Sequence, residues 1–296
     1  MINKTAMISI IGRPNVGKST LTNALIGEKI AIVTNKPQTT RNRIFGVVNR
    51  GPTQFVLLDT PGFHKARTRL GDYMVGIVKE SVSDVDAAAL MVEPVAHVGT
   101  QEKLLIEHIK KTGIPAALII NKVDTVRKDA LLEVIALYTL EHEFSAIIPI
   151  SAKKGEGLPE LLDEFEKFAI EGPQLFPDGV VTDQPEKQIV AEIIREKLLM
   201  CLEREIPHGT AVEVTKFSER ESEIIDLDVT IYCEKASHKG MIIGKNGEML
   251  KKIGQLARAD IERFMGTKVF LQTWVKVKEN WRDSQTGIRN FGYTNK

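Results

Sequence analysis

The chain has little that would place it in a membrane or cross-link it. Across 296 residues no apolar run approaches the roughly 18 residues of a membrane span. The start, Met1 to Lys4, leads into a strand-like run where a secreted protein would carry a signal peptide. The cytoplasm is therefore the expected compartment. Cysteine is scarce: Cys201 and Cys233 stand far apart without ligand spacing and read as reduced core thiols, against a disulfide or a zinc site. No segment repeats and none is of low complexity. Net charge is almost absent at +1, but the balance is uneven. From Ser237 to Lys296 eight Lys and four Arg face two Asp and three Glu, a net +7, which leaves −6 for the residues before. The basic end is a candidate polyanion surface, although a solvated charged face gives the same count.

What is present is a two-part pattern. The runs "AMISIIG", "FVLLDT", "AAALMVEP", "AALIINK" and "AIIPIS" alternate with helical stretches through residue 170. Buried strands joined by helices imply an α/β unit with a mostly parallel sheet, helices on both faces, and ligands at the carboxyl ends of the strands. In "EGPQLFPDGVVTDQPEK" the pattern breaks at Pro173, Pro177 and Pro185. The expected division is a first domain over 1–171, a linker over 172–186, an α+β domain of order αββααβ over 187–277, and a tail over 278–296.

Four short motifs carry the chemistry of the first domain. "GRPNVGKS" fits G-x-x-x-x-G-K-[ST] between a strand and a helix, the context of a phosphate-binding loop. Gly12 and Gly17 let successive N–H groups curl around phosphate oxygens, Lys18 reaches the β- and γ-phosphates, and Ser19 ligates magnesium. Asn15, Val16 and Thr20 complete this candidate cradle. "DTPG" ends the second strand-like run. There Asp59 can hold magnesium through water, and the Gly62 N–H is placed for the γ-phosphate, whose loss would release the following loop. "NKVD" supplies Asn121, Lys122 and Asp124. The Asp124 carboxylate accepts both N–H groups of guanine's Watson–Crick edge, whereas adenine offers it an acceptor, a mismatch worth on the order of 10⁴-fold. The Lys122 stem can cover the base, and "SAK", Ser151, Ala152 and Lys153, can turn the Ala152 N–H to the guanine oxygen. The nucleotide is therefore expected to be GTP, with GDP as product.

Over residues 5–170 these motifs resemble the translation-factor-related GTPases, in the group of Ras-like G domains that holds the Era and TrmE families. The resemblance implies that a threonine of "PQTTRNRI" binds magnesium in the triphosphate state; Thr40 is favoured, with Thr39 open. Lys18, Thr40 and Gly62 are then the groups expected to act on the γ-phosphate. One position departs from Ras-like proteins. Phe63 stands where a water-positioning Gln would be, and an apolar side chain can neither accept nor orient a proton. Asn15 resembles the asparagine that ligates potassium in this group, so slow, potassium-stimulated hydrolysis is expected. His64 reads as a surface switch residue more readily than as a base.

A second Gly-rich loop, "GKNG" at Gly244–Gly247, lacks the span and the Ser/Thr of a nucleotide loop. It fits the GXXG turn of a KH domain, which clamps about four nucleotides of single strand between two helices. Lys239, Lys245 and Lys251 would supply charge, Asn246 sits within the turn, and Met241, Ile242 and Ile243 would offer apolar surface to bases. The order αββααβ around it resembles the type II KH arrangement over residues 187–277. The stripe in "IVAEIIREKLLMCL" reads as core. In the tail, "NWRDSQTGIRNFGY" interleaves Trp281, Arg282, Arg289, Phe291 and Tyr293, a spacing that suits base stacking and equally a docked segment.

A G domain joined to a type II KH domain over nearly the whole chain resembles the Era family. That resemblance implies a role in assembly of the 30S ribosomal subunit, with the KH domain gripping the 3′ end of 16S ribosomal RNA; a monomer is the expected state. It also implies peripheral association with the inner membrane. The motifs alone lead to a GTPase with a module for single-stranded RNA.

Overall fold

The computed structural model describes residues 2–64, 66, 68–221 and 223–293. The chain divides into two compact units. The first takes Met1–Ala31, Thr40–Ala66 and Gly71–Asp183; the second takes Ile32–Thr39, Arg67–Leu70 and Gln184–Lys296.

The first unit runs β1 (Lys4–Gly12), α1 (Lys18–Ile26), β2 (Ile44–Arg50), β3 (Thr53–Asp59), α2 (Arg69–Glu80), β4 (Ala87–Val92), α3 (Thr100–Thr112), β5 (Ala116–Ile120), α4 (Lys128–Glu141), β6 (Ala146–Pro149), α5 (Leu158–Glu166) and β7 (Ile170–Glu171). The sheet order is β2-β3-β1-β4-β5-β6, with β7 beside β1. All five anticipated strands are present and mutually parallel. β2, which was not anticipated, runs antiparallel to β3, from Ile44 opposite Asp59 to Arg50 opposite Thr53. Alternation explains the unbroken apolar runs. In β4, Ala87, Ala89 and Met91 join Leu21, Leu161 and Phe165 on one face. Ala88, Leu90 and Val92 join Leu105, Ile109 and Tyr138 on the other. Each fully buried aliphatic side chain stabilises the unit by roughly 1.5–3 kcal/mol.

The expected linker is largely bound to this unit. Gln54 holds it at both ends of its amide, accepting from the Leu175 and Phe176 N–H groups at 2.9 and 2.8 Å and donating to the Phe176 carbonyl at 2.9 Å. Further along, the Val47 N–H donates to the Val181 carbonyl at 2.9 Å. The chain leaves the first unit after Asp183.

The second unit runs α6 (Glu186–Cys201), β8 (Ala211–Glu219), β9 (Ile225–Cys233), α7 (Ala236–Ile243), α8 (Glu248–Met265), β10 (Val269–Val277) and α9 (Gln285–Asn290). Its sheet order is β10-β9-β8, with β9 parallel to β10 and antiparallel to β8. Helices α6 and α8 cover one sheet face: Ile189, Ile193, Ile194 and Leu198 pack with Ile253, Ala257 and Ile261 over Leu227, Val229 and Ile231. Positions four apart on α8 make the buried stripe that an amphipathic helix requires. The α6 stripe is core as read, but Arg195, Glu196 and Lys197 are buried as well. Lys197 joins Glu196 to Asp260 of α8, at 2.6 and 2.5 Å. Arg195 and Glu196 hold the segment Ile32–Thr39. Glu196 Oε1 accepts from the Val33 N–H at 3.0 Å, and the Arg195 guanidinium donates to the Thr39 carbonyl and to Glu192. Both cysteines are free thiols, Cys233 buried and Cys201 half-buried.

The tail is docked. Trp281 is fully buried, its Nε1–H donating to the Gly209 carbonyl at 2.9 Å. Phe291 meets it edge-on at 5.1 Å and Tyr293 stacks on it at 6.1 Å. Arg282 pairs with Glu234. The aromatic spacing that also suited RNA stacking is a small satellite core, because each ring finds a protein partner. Residues 294–296 of the expected tail lie outside the described residues.

Candidate functional site

The loop between β1 and α1 is where the first motif predicted a phosphate cradle. Lys18 is buried, and its ammonium donates to the Gly12 and Arg13 carbonyls at 3.1 and 3.0 Å. Burial lowers its pKa to about 8 against the attraction of Asp59. A desolvated ammonium held only by carbonyls is poised for a stronger anionic partner. Val16 is a core residue, so what it can offer a ligand is backbone. Asn15 is exposed in a left-handed conformation, φ 66°, and Thr20 lies in the first turn of α1 after Ser19.

Three oxygen donors converge beside the lysine. The Ser19 hydroxyl donates to Asp59 Oδ2 at 2.5 Å and lies 2.9 Å from Thr40 Oγ1. Asp59 is buried, and its Oδ1 has no hydrogen-bond partner among the described residues. Burial pushes its pKa up to about 6, against the Ser19 hydrogen bond and the Lys18 charge. A buried carboxylate with an orphaned oxygen, beside two hydroxyls, is a donor set for a small hard cation, and magnesium fits it. Thr39 does not join this corner: its hydroxyl lies 2.7 Å from that of Thr34 and donates to the Lys36 carbonyl at 2.7 Å.

The loop after β3 touches the phosphate loop. A Cβ on Gly62 would come within 2.6 Å of Pro14 Cα, so the close approach excludes any side chain there. The Phe63 N–H donates to the Gly12 carbonyl at 3.1 Å, and its ring packs against the core on the α2–α4 side of the sheet. His64 Nδ1 lies 2.9 Å from the Gly62 carbonyl, so it carries the proton of that hydrogen bond.

Loops after β5 and β6 carry the residues expected to meet the base. Asn121 bridges them to the phosphate loop, its Nδ2 donating to the Val16 carbonyl at 2.8 Å and its Oδ1 accepting from the Ala152 N–H at 2.9 Å. The Ala152 N–H expected to face guanine is thus engaged by Asn121, and base contact would share it. Lys122 Nζ reaches the Asn15 carbonyl at 2.8 Å and Glu93 at 2.5 Å, laying its stem across the site. Asp124 is exposed and accepts from the Ser151 hydroxyl at 2.7 Å. That bond first, then a hydrogen bond from its own backbone and the charges of Lys154 and Lys153, holds its carboxyl below the usual range, so it stays an acceptor.

In the second unit, Gly244–Gly247 is a tight turn between α7 and α8. Gly244 (φ 74°) has Met249 so close that a Cβ would lie 2.7 Å from Met249 Cβ, and Asn246 is left-handed at φ 51°. Lys245 and Asn246 are exposed, Met241 is 53% exposed, and Lys239 and Ile243 are half-buried. Ile242 is a correction. It is fully buried in the α6–α8 core, one helical step from Met241, and offers no surface to a base. Beside the turn lies a groove of about 360 Å³ that includes Gly247, Lys251, Gln255 and Arg258 from the turn and α8, and Leu271 and Thr273 from β10. Gln255, Arg258 and the β10 residues escaped the sequence reading, which looked only near GXXG; the i, i+4, i+7 spacing of Lys251, Gln255 and Arg258 was the available signal.

A family model described as 50S ribosome-binding GTPase matches residues 7–122, and one described as KH domain matches residues 205–282. The chain is 52% identical to GTPase Era of Ruminiclostridium cellulolyticum, covering 100% of each. The chain belongs to the GTPase Era family. Era of Clostridioides difficile is 48% identical, with 99% of each chain covered. A crystal structure of Era in complex with MgGDPNP and nucleotides 1506–1542 of 16S ribosomal RNA matches with a TM-score of 0.95 at 35% identity, over 100% of both chains. Aquifex aeolicus Era, as a variant bound to GDP and AlF4−, matches at 0.95 and 36%, over 99% of this chain and 100% of that one. This member of the Era family is thus a GTPase that uses GTP, GDP and Mg2+, and it carries an RNA-binding KH domain. Among the described residues no helix is long and apolar enough to cross a membrane.

Proposed function

We propose that the protein is a GTP-driven switch in assembly of the 30S subunit, holding the 3′ end of 16S ribosomal RNA in the groove beside Gly244–Gly247. The observation that carries this reading is the full-length likeness to an Era bound to nucleotides 1506–1542 of that RNA. Lys18 and the loop N–H groups would bind the β- and γ-phosphates, and Asp124 would select guanine. Ser19, Thr40 and Asp59 would hold magnesium, which supplies charge neutralisation at the transferring phosphoryl group. The proximity of Thr40 to Ser19 favours it over Thr39 as the switch ligand.

Hydrolysis draws no help from Phe63, whose apolar, half-buried ring packs against the core and can neither accept nor orient a proton. We assign that help to a potassium ion at the exposed Asn15, so turnover should be faster in potassium than in sodium buffer; equal rates would remove the assignment. The switch has a covalent route to the second unit. Thr40 stands at the metal corner, and the preceding carbonyl, that of Thr39, is held by the buried Arg195. Ordering Thr40 around a triphosphate therefore bears on α6, and linkage makes RNA affinity depend on the nucleotide. The test is the affinity of the full chain, a monomer on this reading, for a 16S 3′-terminal oligonucleotide in the presence of GDP or GDPNP, which stands in for GTP. Different affinities support the switch, and equal ones leave two tethered modules. Anionic vesicles form the control arm: capture by vesicles exceeding capture by RNA at equal salt would transfer the basic surface to the inner membrane.

A further inference from the structure

The sequence directed attention to the aromatic residues of the tail, which the fold consumes. The exposed aromatics lie elsewhere. Phe270 and Trp274 of β10 are 47% and 44% exposed, among the large apolar side chains most open to solvent in the second unit. β10 is the outermost strand of its sheet, and side chains alternate along it. Leu271 and Thr273 face the groove beside the GXXG turn. Phe270, Gln272 and Trp274 therefore stand on the opposite face of the same strand, a strand's thickness from the groove.

We infer that this outer face is a second RNA surface, on which Phe270 and Trp274 stack bases of the single strand that leaves the groove around the edge of β10. The inference rests on the reading that the groove itself holds single-stranded RNA. Three observations support a polynucleotide occupant. The face is continuous with the RNA groove through one strand. Its rings come with a cation: Lys276 is exposed on the same face, while the Arg220 guanidinium, 5.2 Å from the Phe270 centroid, is matched by Asp226. Asp226, in register beside Phe270, is neutralised by Arg220 and Lys216 at 2.6 and 3.2 Å. Four residues of strand separate the two rings by about 13 Å, so each would take its own base. The face ends at Tyr232, which Phe291 covers at 4.9 Å, leaving the β10 side open. Since a GXXG turn clamps about four nucleotides, a longer strand needs such a surface.

The chain has two tryptophans, and the other, Trp281, is fully buried, so a change in tryptophan emission on binding reports Trp274. The experiment uses the full chain, a 12-nucleotide and a 4-nucleotide RNA from the 16S 3′ end, and emission and affinity measured together. The 12-mer should quench emission, and Trp274→Phe should abolish the quench while keeping affinity within about threefold, because phenylalanine still stacks. Phe270→Ala with Trp274→Ala should weaken the 12-mer at least about tenfold and leave the 4-mer within about twofold. Gly244→Asp with Gly247→Asp should weaken both RNAs. An alanine pair that binds the 12-mer as tightly as the parent, or a saturating 12-mer that leaves emission unchanged, overturns the inference while the groove reading stands. Failure of the parent to bind either RNA overturns both. If the alanine pair instead dissolves a dimer of the parent without loss of RNA affinity, the face belongs to a second copy and the inference is wrong.

Discussion

Asp59→Asn should make the nucleotide-free protein more stable and reduce the dependence of GDP affinity on Mg2+. Asp59 is fully buried, and its pKa is raised from 3.8 to about 6 by burial. At 1.36 kcal/mol per unit, a shift of about two units means that ionising it in the fold costs about 3 kcal/mol more than in the unfolded chain. The sign follows from proton counts. Between about pH 4 and pH 6 the folded state keeps the proton and the unfolded state has lost it, so stability falls as pH rises through that window. The full cost is present at pH 7. An amide is neutral at every pH, keeps the shape, and still accepts from Ser19. Part of the gain is returned, because the buried Lys18 loses an opposite charge. We expect a net gain of about 1–2 kcal/mol at pH 7.5 in EDTA, or roughly 2–8 °C in Tm, shrinking towards zero at pH 4.5. Thermal unfolding by circular dichroism at the two pH values measures it, with the Mg2+ dependence of GDP affinity measured beside it. A variant no more stable than the parent at pH 7.5, or equally shifted at both pH values, would refute the account of Asp59 as a desolvated ligand awaiting its cation.

The remaining expectations concern other parts of the two sites. With a pKa of about 8, Lys18 loses its charge in the free protein as pH rises above 8, while bound phosphate favours the charged form; GDP affinity should fall with pH above about 8, by up to tenfold per unit, in a titration calorimeter. Arg195→Lys keeps a charge beside Glu192 but loses the planar fork that also reaches Thr39. It should bring RNA affinities measured with GDP and with GDPNP to within about twofold of each other, with GDP affinity itself unchanged. Trp281→Ala removes a fully buried ring and a hydrogen bond to Gly209, so urea unfolding should show a loss of about 3–5 kcal/mol in the second unit.

Much of the G domain was legible because its motifs constrain backbone as well as side chain. Gly12 and Asp59 end strands, Asn121 directly follows one and Lys18 opens the helix after β1, so each is placed by an apolar run that announces itself, and position and chemistry arrive together. β2 was missed because Ile44–Arg50 follows a polar loop and ends in Asn and Arg, with a weaker apolar signal than its neighbours. In the KH unit, GXXG marked the turn, but neighbours in sequence are not neighbours on a helix face. Met241 and Ile242 differ by about 100° of helical phase, enough to place one in solvent and the other in the core. The tail was ambiguous for another reason: rings that stack on bases and rings that stack on each other have the same spacing, and only Gly209 and Glu234, distant in sequence, decide between them. Phe270 and Trp274 were overlooked because a strand's two faces look alike until something covers one of them.

The amide of Asn121 has a consequence for how affinity is distributed over the ligand. One side chain steadies the carbonyl of the phosphate loop and the N–H at the guanine end. If the nucleotide lies across these loops as proposed, grip on one half would tighten the receptor for the other, and fragments such as guanosine and pyrophosphate should each bind far more weakly than a division of the whole would suggest. On that reading, loosening the phosphate loop would weaken the hold on the base as well, through a residue set between the two.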